Sequence, residues 1–257
     1  MLFFFPCCIL VLLVLETGEI MRILITNDDS ISATQLIPLI RWCQKLGDVT
    51  TVVPKFEQSG KSHSIELHKA FEAKLVHPEP SIDIYTVDSS PADCVRYAVF
   101  GMGMEFDLVI SGINRGFNMG SDMLYSGTMA AASEAVLQGI PAIALSTSIP
   151  YYEEAITHLD QIFDYIRDHK LLEIHNAYNI NIPPQPTGIR ITRQGGPYYL
   201  DDFVHQGNDM YMPKGKCVYQ DSGCLELDTD AVKHGYISIM PLTVDRTDYR
   251  VLEQLRK

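Results

Sequence analysis

Short β-branched runs alternating with segments of helical period predict an α/β fold: a doubly wound, mostly parallel sheet with a smaller β-rich appendage at the C-terminus. Two further observations point the same way. Polar residues cluster immediately after the strand-like runs, where an open parallel sheet binds its ligands. Beyond Gly195 the alternation lapses into mixed Gly, Pro, Asp and aromatic residues without clear period. With 257 residues the chain is long enough for one substantial core. The expected division is an apolar stretch at 1–20, an α/β core at 21–195 and a C-terminal part at 196–257.

Taken in order, the strand-like runs are 22–26, 49–53, 84–87, 106–110, 142–145 and 189–192, with a last one at 236–239. Leu36, Ile37, Leu39, Ile40, Cys43 and Leu46 recur at the spacing of one helix face, and Gly47 follows as a stop. A second helix is expected over 91–100, with Pro91 in the first turn and Ser89 or Ser90 as cap. A third covers 128–137 and closes at Gly139. A fourth runs over 153–169, where Ile156, Leu159, Ile162, Phe163 and Ile166 share a face.

Charge limits the partners. The chain has 20 Lys+Arg against 32 Asp+Glu, a net of −12, which opposes a nucleic-acid polymer because phosphate neutralisation needs clustered cations. A small phosphorylated ligand is compatible, since one bound metal inverts the local field. The six cysteines lack zinc-ligand spacing and read as free thiols of a reducing compartment. The apolar run at 2–15 is shorter than the roughly 18–20 residues of a membrane span, so no span is expected. It resembles a signal peptide in hydrophobicity, but no Lys or Arg precedes it and no A-x-A-like site follows. It reads as an extension, or a misassigned start before Met21-Arg22, ahead of a cytoplasmic enzyme; an exported form is the rival reading.

Chemistry concentrates in three loops. Asn27-Asp28-Asp29-Ser30 follows the first strand, Gln58-Ser59-Gly60-Lys61-Ser62 lies beyond the second, and Ser111-Gly112-Ile113-Asn114 ends a later one. Two adjacent carboxylates converge on one ion only where a strand ends and the chain turns. Asp28 and Asp29 meet that condition, and oxygen ligands from Asp, Asn and Ser suit a hard cation such as Mg²⁺ or Mn²⁺. The plainer alternative is a turn with Asp29, Ser30 or Ser32 capping a helix. For the pair, mutual repulsion favours the ligand reading. The Gly-rich segment 111–120 lets backbone approach a ligand and offers Asn114 and Asn118. Tyr125-Ser126-Gly127-Thr128 then opens a helix whose N-terminus favours an anion, although Ser126 or Thr128 also reads as an ordinary cap. Gly60-Lys61-Ser62 is not a P-loop, because Lys55 stands where the earlier glycine is required. Lys61, His63 and His68 read by default as solvated or structurally bonded.

Six segments in order carry a resemblance: MRILITNDD from Met21, QSGKSHS from Gln58, SPADCV from Ser90, SGINRGFNMGSD from Ser111, YSGTMAAA from Tyr125 and GYISIMPL from Gly235. They resemble the SurE family of 5′-nucleotidases, the stationary-phase survival proteins, from Met21 to about Val244. The resemblance implies a Rossmann-like core, a C-terminal part used in forming a homodimer or homotetramer, and divalent-metal-dependent hydrolysis of nucleoside 5′-monophosphates. Activity on 3′-nucleotides and short polyphosphate belongs to the same expectation. Carried over by motif, Asp28, Asp29, Ser59 and Asn114 hold one Mg²⁺ or Mn²⁺ per subunit, and Asp28 and Asp29 are the catalytic candidates. Asn118, Ser126, Gly127 and Thr128 lie beside the substrate phosphate. Ser59 is implied by the resemblance alone. Tyr125, Tyr198 and Tyr199 are available to stack on a base.

Two departures concern the turn. Where the family usually has Gly after the aspartates and another Gly a few residues on, this chain has Ser30 and then, beyond Ile31, the sequence Ser32-Ala33-Thr34-Gln35, so a slightly different turn is expected. Two other classes carry related features: a receiver-type Mg²⁺-binding signalling module, which also bears an acidic pair after its first strand, and a non-catalytic nucleotide-binding protein. The receiver needs an acceptor aspartate after a later strand, where this chain has Asn114.

Overall fold

A computed structural model describes residues 20–256; the N-terminal extension expected at 1–20 thus lies, but for Ile20, outside the described residues. The strands are β1 (Met21–Thr26), β2 (Gly47–Pro54), β3 (Ala73–Glu79), β4 (Ile82–Val87), β5 (Leu108–Arg115), β6 (Ala142–Thr147), β7 (Ala177–Ile182), β8 (Gly188–Ile191), β9 (Tyr199–Gly207), β10 (Met210–Cys217) and β11 (Tyr236–Pro241). Nine of them form one sheet in the order β3-β4-β2-β1-β5-β6-β7-β11-β8. From β4 to β7 every pairing is parallel, while β3 and the β11–β8 pair enter antiparallel at the two sides. The helices are α1 (Leu36–Cys43), α2 (Pro91–Arg96), α3 (Gly127–Leu137), α4 (Leu159–Asp168), α5 (Leu171–Ile174), α6 (Asp228–Lys233) and α7 (Tyr249–Leu255). Among the described residues no helix is long and apolar enough to cross a membrane, and Cys43, Cys94, Cys217 and Cys224 are free.

Side-chain alternation explains why the sheet is covered on both faces. Ile23 and Ile25 of β1, Leu108 and Ile110 of β5, and Ile143 and Leu145 of β6 join one core cluster with α1 and α4. Their neighbours Leu24, Val109, Ala142 and Ala144 join the other, with α2 and α3. The second layer is built of small residues: Ala131, Ala132 and Ala135 of α3 meet the alanines of β6, so helix and sheet approach closely. On the first face Trp42 packs against Phe163 with ring centroids 4.6 Å apart and donates to Asp160 at 2.7 Å.

Several elements differ from expectation, each for a tertiary reason. Gly47 does not simply stop α1. It opens β2, where a Cβ would come within 2.0 Å of the Met21 carbonyl oxygen. The helix expected over 91–100 is α2 followed by a wider turn at Tyr97–Gly101, and its cap is Ser90, which accepts from Asp93 N–H at 3.1 Å. Residues 153–169 do not make one helix: a 3-10 segment, Ile149–His158, precedes α4 and is kinked at Tyr151. Strands β3 and β7 were not expected at all. Within the C-terminal part, β11 inserts between β7 and β8 of the main sheet, and the smaller β-rich appendage that was expected is the β9–β10 hairpin with its own sheet.

This topology places the site. The chain winds from β1 out to β2 and then returns to lay β5 on the other side of β1, so β1 and β5 flank a switch point whose crevice opens at their carboxyl ends.

Candidate active site

The turn after β1 is shaped by its own polar groups. Asn27 donates its side-chain N–H to the Ser30 carbonyl at 3.0 Å, and Ser30 adopts φ 70°. The left-handed turn expected of a glycine is therefore kept with serine in it, and the Ser30 and Ser32 hydroxyls hydrogen-bond at 2.8 Å. This arrangement brings Asp28 and Asp29 to the crevice.

Three other segments close on the pair. The Gln58 N–H donates to the Asp28 carbonyl at 2.8 Å, which fixes the loop bearing Ser59. The Arg115 N–H donates to Asp29 Oδ2 at 2.8 Å, next to Asn114. The Thr128 hydroxyl donates to Asp28 Oδ1 at 2.6 Å. Gly127 lies against Asp28 so closely that a Cβ there would stand 2.9 Å from the aspartate Cβ. Asn114 is re-aimed by an irregularity in the β5–β6 pairing between Ser111 and Asn114. Gly112 permits it, with φ 142° and room for no Cβ beneath the Leu145 carbonyl, 2.4 Å away.

Burial and like charge make both carboxylates reluctant to ionise. Asp28 is 4 % exposed, and burial raises its pKa against the opposing Thr128 hydrogen bond. Asp29 is pushed up to about 6, chiefly by burial, with the Arg115 N–H opposing and the Asp28 charge adding. Glu57 raises both a little further. A pair so placed binds protons or a cation more readily than it stands bare.

The donor set fits a hard divalent cation. Asn114 donates its N–H to the Gly116 carbonyl at 2.8 Å, which leaves its Oδ1 for an ion. Ser59 donates its hydroxyl proton to Glu57 at 2.8 Å, which leaves the oxygen lone pairs. Among the described residues no group of three or more His, Cys, Asp or Glu could hold a metal, so the candidate set combines two carboxylates with neutral oxygens.

The phosphate candidates divide. Ser126 caps α3, accepting from Met129 N–H at 3.2 Å, so the cap coincides with the candidate anion-binding position. The Thr128 side chain is committed to Asp28 and is not a free donor. The Asn118 amide N–H is turned to the Ser146 hydroxyl, 2.9 Å away. Lys61 is exposed, His63 pairs with Glu134 at 2.9 Å, and His68 is exposed.

Against this geometry, the model of the family described as Survival protein SurE matches residues 23–201. The chain belongs to the SurE family. It is 39 % identical to 5′-nucleotidase SurE of Pelotomaculum thermopropionicum, over 92 % of this chain and 95 % of that one. It is 38 % identical to 5′-nucleotidase SurE of a Thermoanaerobacter species, over 91 % and 97 %. The crystal structure of the SurE protein from Aquifex aeolicus superposes with a TM-score of 0.75 at 31 % identity, covering 91 % of this chain and 98 % of that chain.

This SurE chain has a cavity of about 420 Å³ beside Asp29, lined among others by Glu57, Arg115, Tyr151, Tyr152, Glu153 and Glu154. Tyr152 is held at its wall by donating to the Ile113 carbonyl at 2.9 Å. Of the tyrosines proposed for stacking, Tyr198 and Tyr199 pair with each other beside the β9–β10 hairpin and Tyr125 is exposed; none lines this cavity. Tyr151 and Tyr152 escaped sequence reasoning because they lie just before the helix expected at 153–169, and the kink that turns Tyr151 is not a local signal.

Proposed function

We propose that the chain is a divalent-metal-dependent 5′-nucleotidase, hydrolysing nucleoside 5′-monophosphates to nucleoside and phosphate. The observation that carries it is the convergence of Asp28 and Asp29, both resisting ionisation, with the N-terminus of α3 at the switch point of the sheet. Membership in the SurE family supports the same reading.

Asp28, Asp29, Ser59 and Asn114 are the proposed ligands of one Mg²⁺ or Mn²⁺. A bound divalent ion supplies Lewis-acid stabilisation of the phosphate charge and a lowered pKa for an attacking water. Thr128 holds Asp28 in position by its 2.6 Å bond. The positive end of α3 at Ser126, Gly127 and Thr128 would face the phosphoryl oxygens, with the Ser126 N–H itself taken by the Met123 carbonyl and the Thr128 N–H by Asp28, and Asn118 is the proposed further phosphate contact. The cavity at Asp29 takes the nucleoside, with Tyr151 offered to the base and carboxylates offered to ribose hydroxyls. Because the machinery grips only a terminal phosphate, 3′-nucleotides and short polyphosphate fall within the proposal.

The proposed assembly is a homodimer or homotetramer formed through the C-terminal part. The β9–β10 hairpin supports this, since Leu200, Phe203, Met210 and Tyr211 on it are exposed. A cytoplasmic location is part of the reading.

The test is turnover of AMP, GMP and a polyphosphate with Mn²⁺ or with EDTA. Multiple-turnover phosphate release that EDTA stops is expected, and Asp28→Asn abolishes it while circular dichroism stays unchanged. Near-normal activity in Asp28→Asn overturns the proposal. Nucleotide binding without turnover leaves the non-catalytic nucleotide-binding protein in its place.

A further inference from the structure

Strand β7 is central, and all six of its residues are buried. Tyr178, Ile180 and Ile182 face the α1–α4 side. By the two-residue period of a strand, Asn179 and Asn181 face the other layer, where Asn179 lies between Ala144 of β6 and Met240 of β11 and Asn181 between Ser146 of β6 and Ser238 of β11. An apolar residue at 179 would match both of its neighbours. A buried amide is destabilising unless its polar ends are paired, so two of them on one core face require a reason.

The reason lies on Asn118. Its carbonyl accepts from Asn179 Nδ2 at 2.7 Å and from Asn181 Nδ2 at 2.8 Å, and its N–H donates to Asn181 Oδ1 at 2.9 Å. Asn181 thus pairs with both backbone groups of residue 118, as a neighbouring strand would. The Asn118 side chain is held from a third direction by Ser146 of β6, itself fully buried, through a 2.9 Å bond from Nδ2 to the hydroxyl. The loop that carries the phosphate candidate is in this way fastened to two core strands by side chains of no other evident use.

The geometry points to Asn179, Asn181 and Ser146 as positioning residues that hold Asn118 for the phosphate of the substrate. The inference rests on the nucleotidase reading above and adds the clamp to it. It also explains the choice of a serine. An anion needs Nδ2 of Asn118 turned outward, which carries Oδ1 round to residue 146. A hydroxyl suits both orientations, accepting from Nδ2 in one and donating to Oδ1 in the other. An alanine serves neither.

The experiment compares wild type, Ser146→Ala and Asn181→Leu, the last a near-isostere that removes both polar ends of the amide. It measures AMP turnover, competitive inhibition by inorganic phosphate, calorimetric binding of inorganic phosphate, and the Mn²⁺ concentration giving half activation. Both variants are expected to weaken phosphate inhibition and binding about ten- to hundredfold, the value of a hydrogen bond to a charged group. Half activation by Mn²⁺ stays within about twofold, because Asp28, Asp29, Ser59 and Asn114 are untouched. Folded variants with unaltered phosphate affinity overturn the clamp, as does a loss of Mn²⁺ and phosphate response in equal measure. If Asn181→Leu does not fold, Ser146→Ala decides by the same criteria. Wild type inert toward every nucleotide would sink the nucleotidase reading instead, while the calorimetry still reports on the clamp.

Discussion

Replacing Asp29 by Asn should stabilise the metal-free protein while removing its activity. Asp29 stands half-buried beside Asp28 with its pKa pushed from the usual 3.8 to about 6. A carboxyl moved that far differs by about 3 kcal/mol between its ionised and neutral forms, at 1.36 kcal/mol per pH unit. Water still reaches part of the group, so we discount this to about 1–2 kcal/mol. Because the folded pKa lies above the unfolded one, the stability linked to Asp29 is complete below pH 3.8 and is lost as pH rises through about 6. At pH 7.5 the wild type therefore carries the full penalty, and asparagine, which still accepts from the Arg115 N–H, escapes it. Thermal melts in EDTA should show the variant about 3–6 °C above wild type at pH 7.5, narrowing to under half of that at pH 4. Saturating Mn²⁺ should reverse the order, since a ligand at a hundred times its Kd stabilises by about 2.7 kcal/mol and the variant has lost a ligand. A variant no more stable than wild type at pH 7.5 in EDTA, or a gap independent of pH, would refute the electrostatic argument.

Thr128→Val deletes the buried donor to Asp28, a charge-assisted hydrogen bond of about 1.5–3 kcal/mol, and should weaken Mn²⁺ affinity by about tenfold or more, read by calorimetry; Thr128→Ser should retain most of it. Ser30→Gly relieves a left-handed backbone at about 1 kcal/mol, less whatever the Ser32 hydrogen bond contributed, so a small rise in melting temperature with turnover within about twofold is expected. Tyr151→Ala should raise KM for AMP about five- to fiftyfold through lost stacking while leaving short polyphosphate unaffected, and an equal effect on both substrates would remove Tyr151 from the nucleoside cavity.

Much of the candidate site was legible because its signals are local. Asp28 and Asp29 stand out since a strand ending in two carboxylates has few uses, and Ser126 marks a helix start by composition alone. Ser30 was read as the departure from a glycine turn, and its φ of 70° shows the chain keeping that turn rather than altering it. The roles of Thr128 and Ser59 were less visible. Thr128 bonds Asp28 across 100 residues, and Ser59 leans on Glu57, whose charge also bears on the aspartates.

The alternation of Ile23, Leu24 and Ile25, and the alanines of α3, determined a two-faced sheet, because periodicity is a property of neighbouring residues and survives in one dimension. Strand β7 shows where that ends. Asn179 and Asn181 make its sequence read as half polar, yet the strand is wholly buried, because the carbonyl of Asn118 some 60 residues earlier accepts from the side-chain N–H of both and its N–H donates to Asn181 Oδ1. The insertion of β11 beside it, the cavity at Asp29 and the kink that turns Tyr151 were likewise decided only by packing. Their determinants are pairings between distant segments, and no local pattern of apolar and polar residues encodes which distant segment will supply the partner.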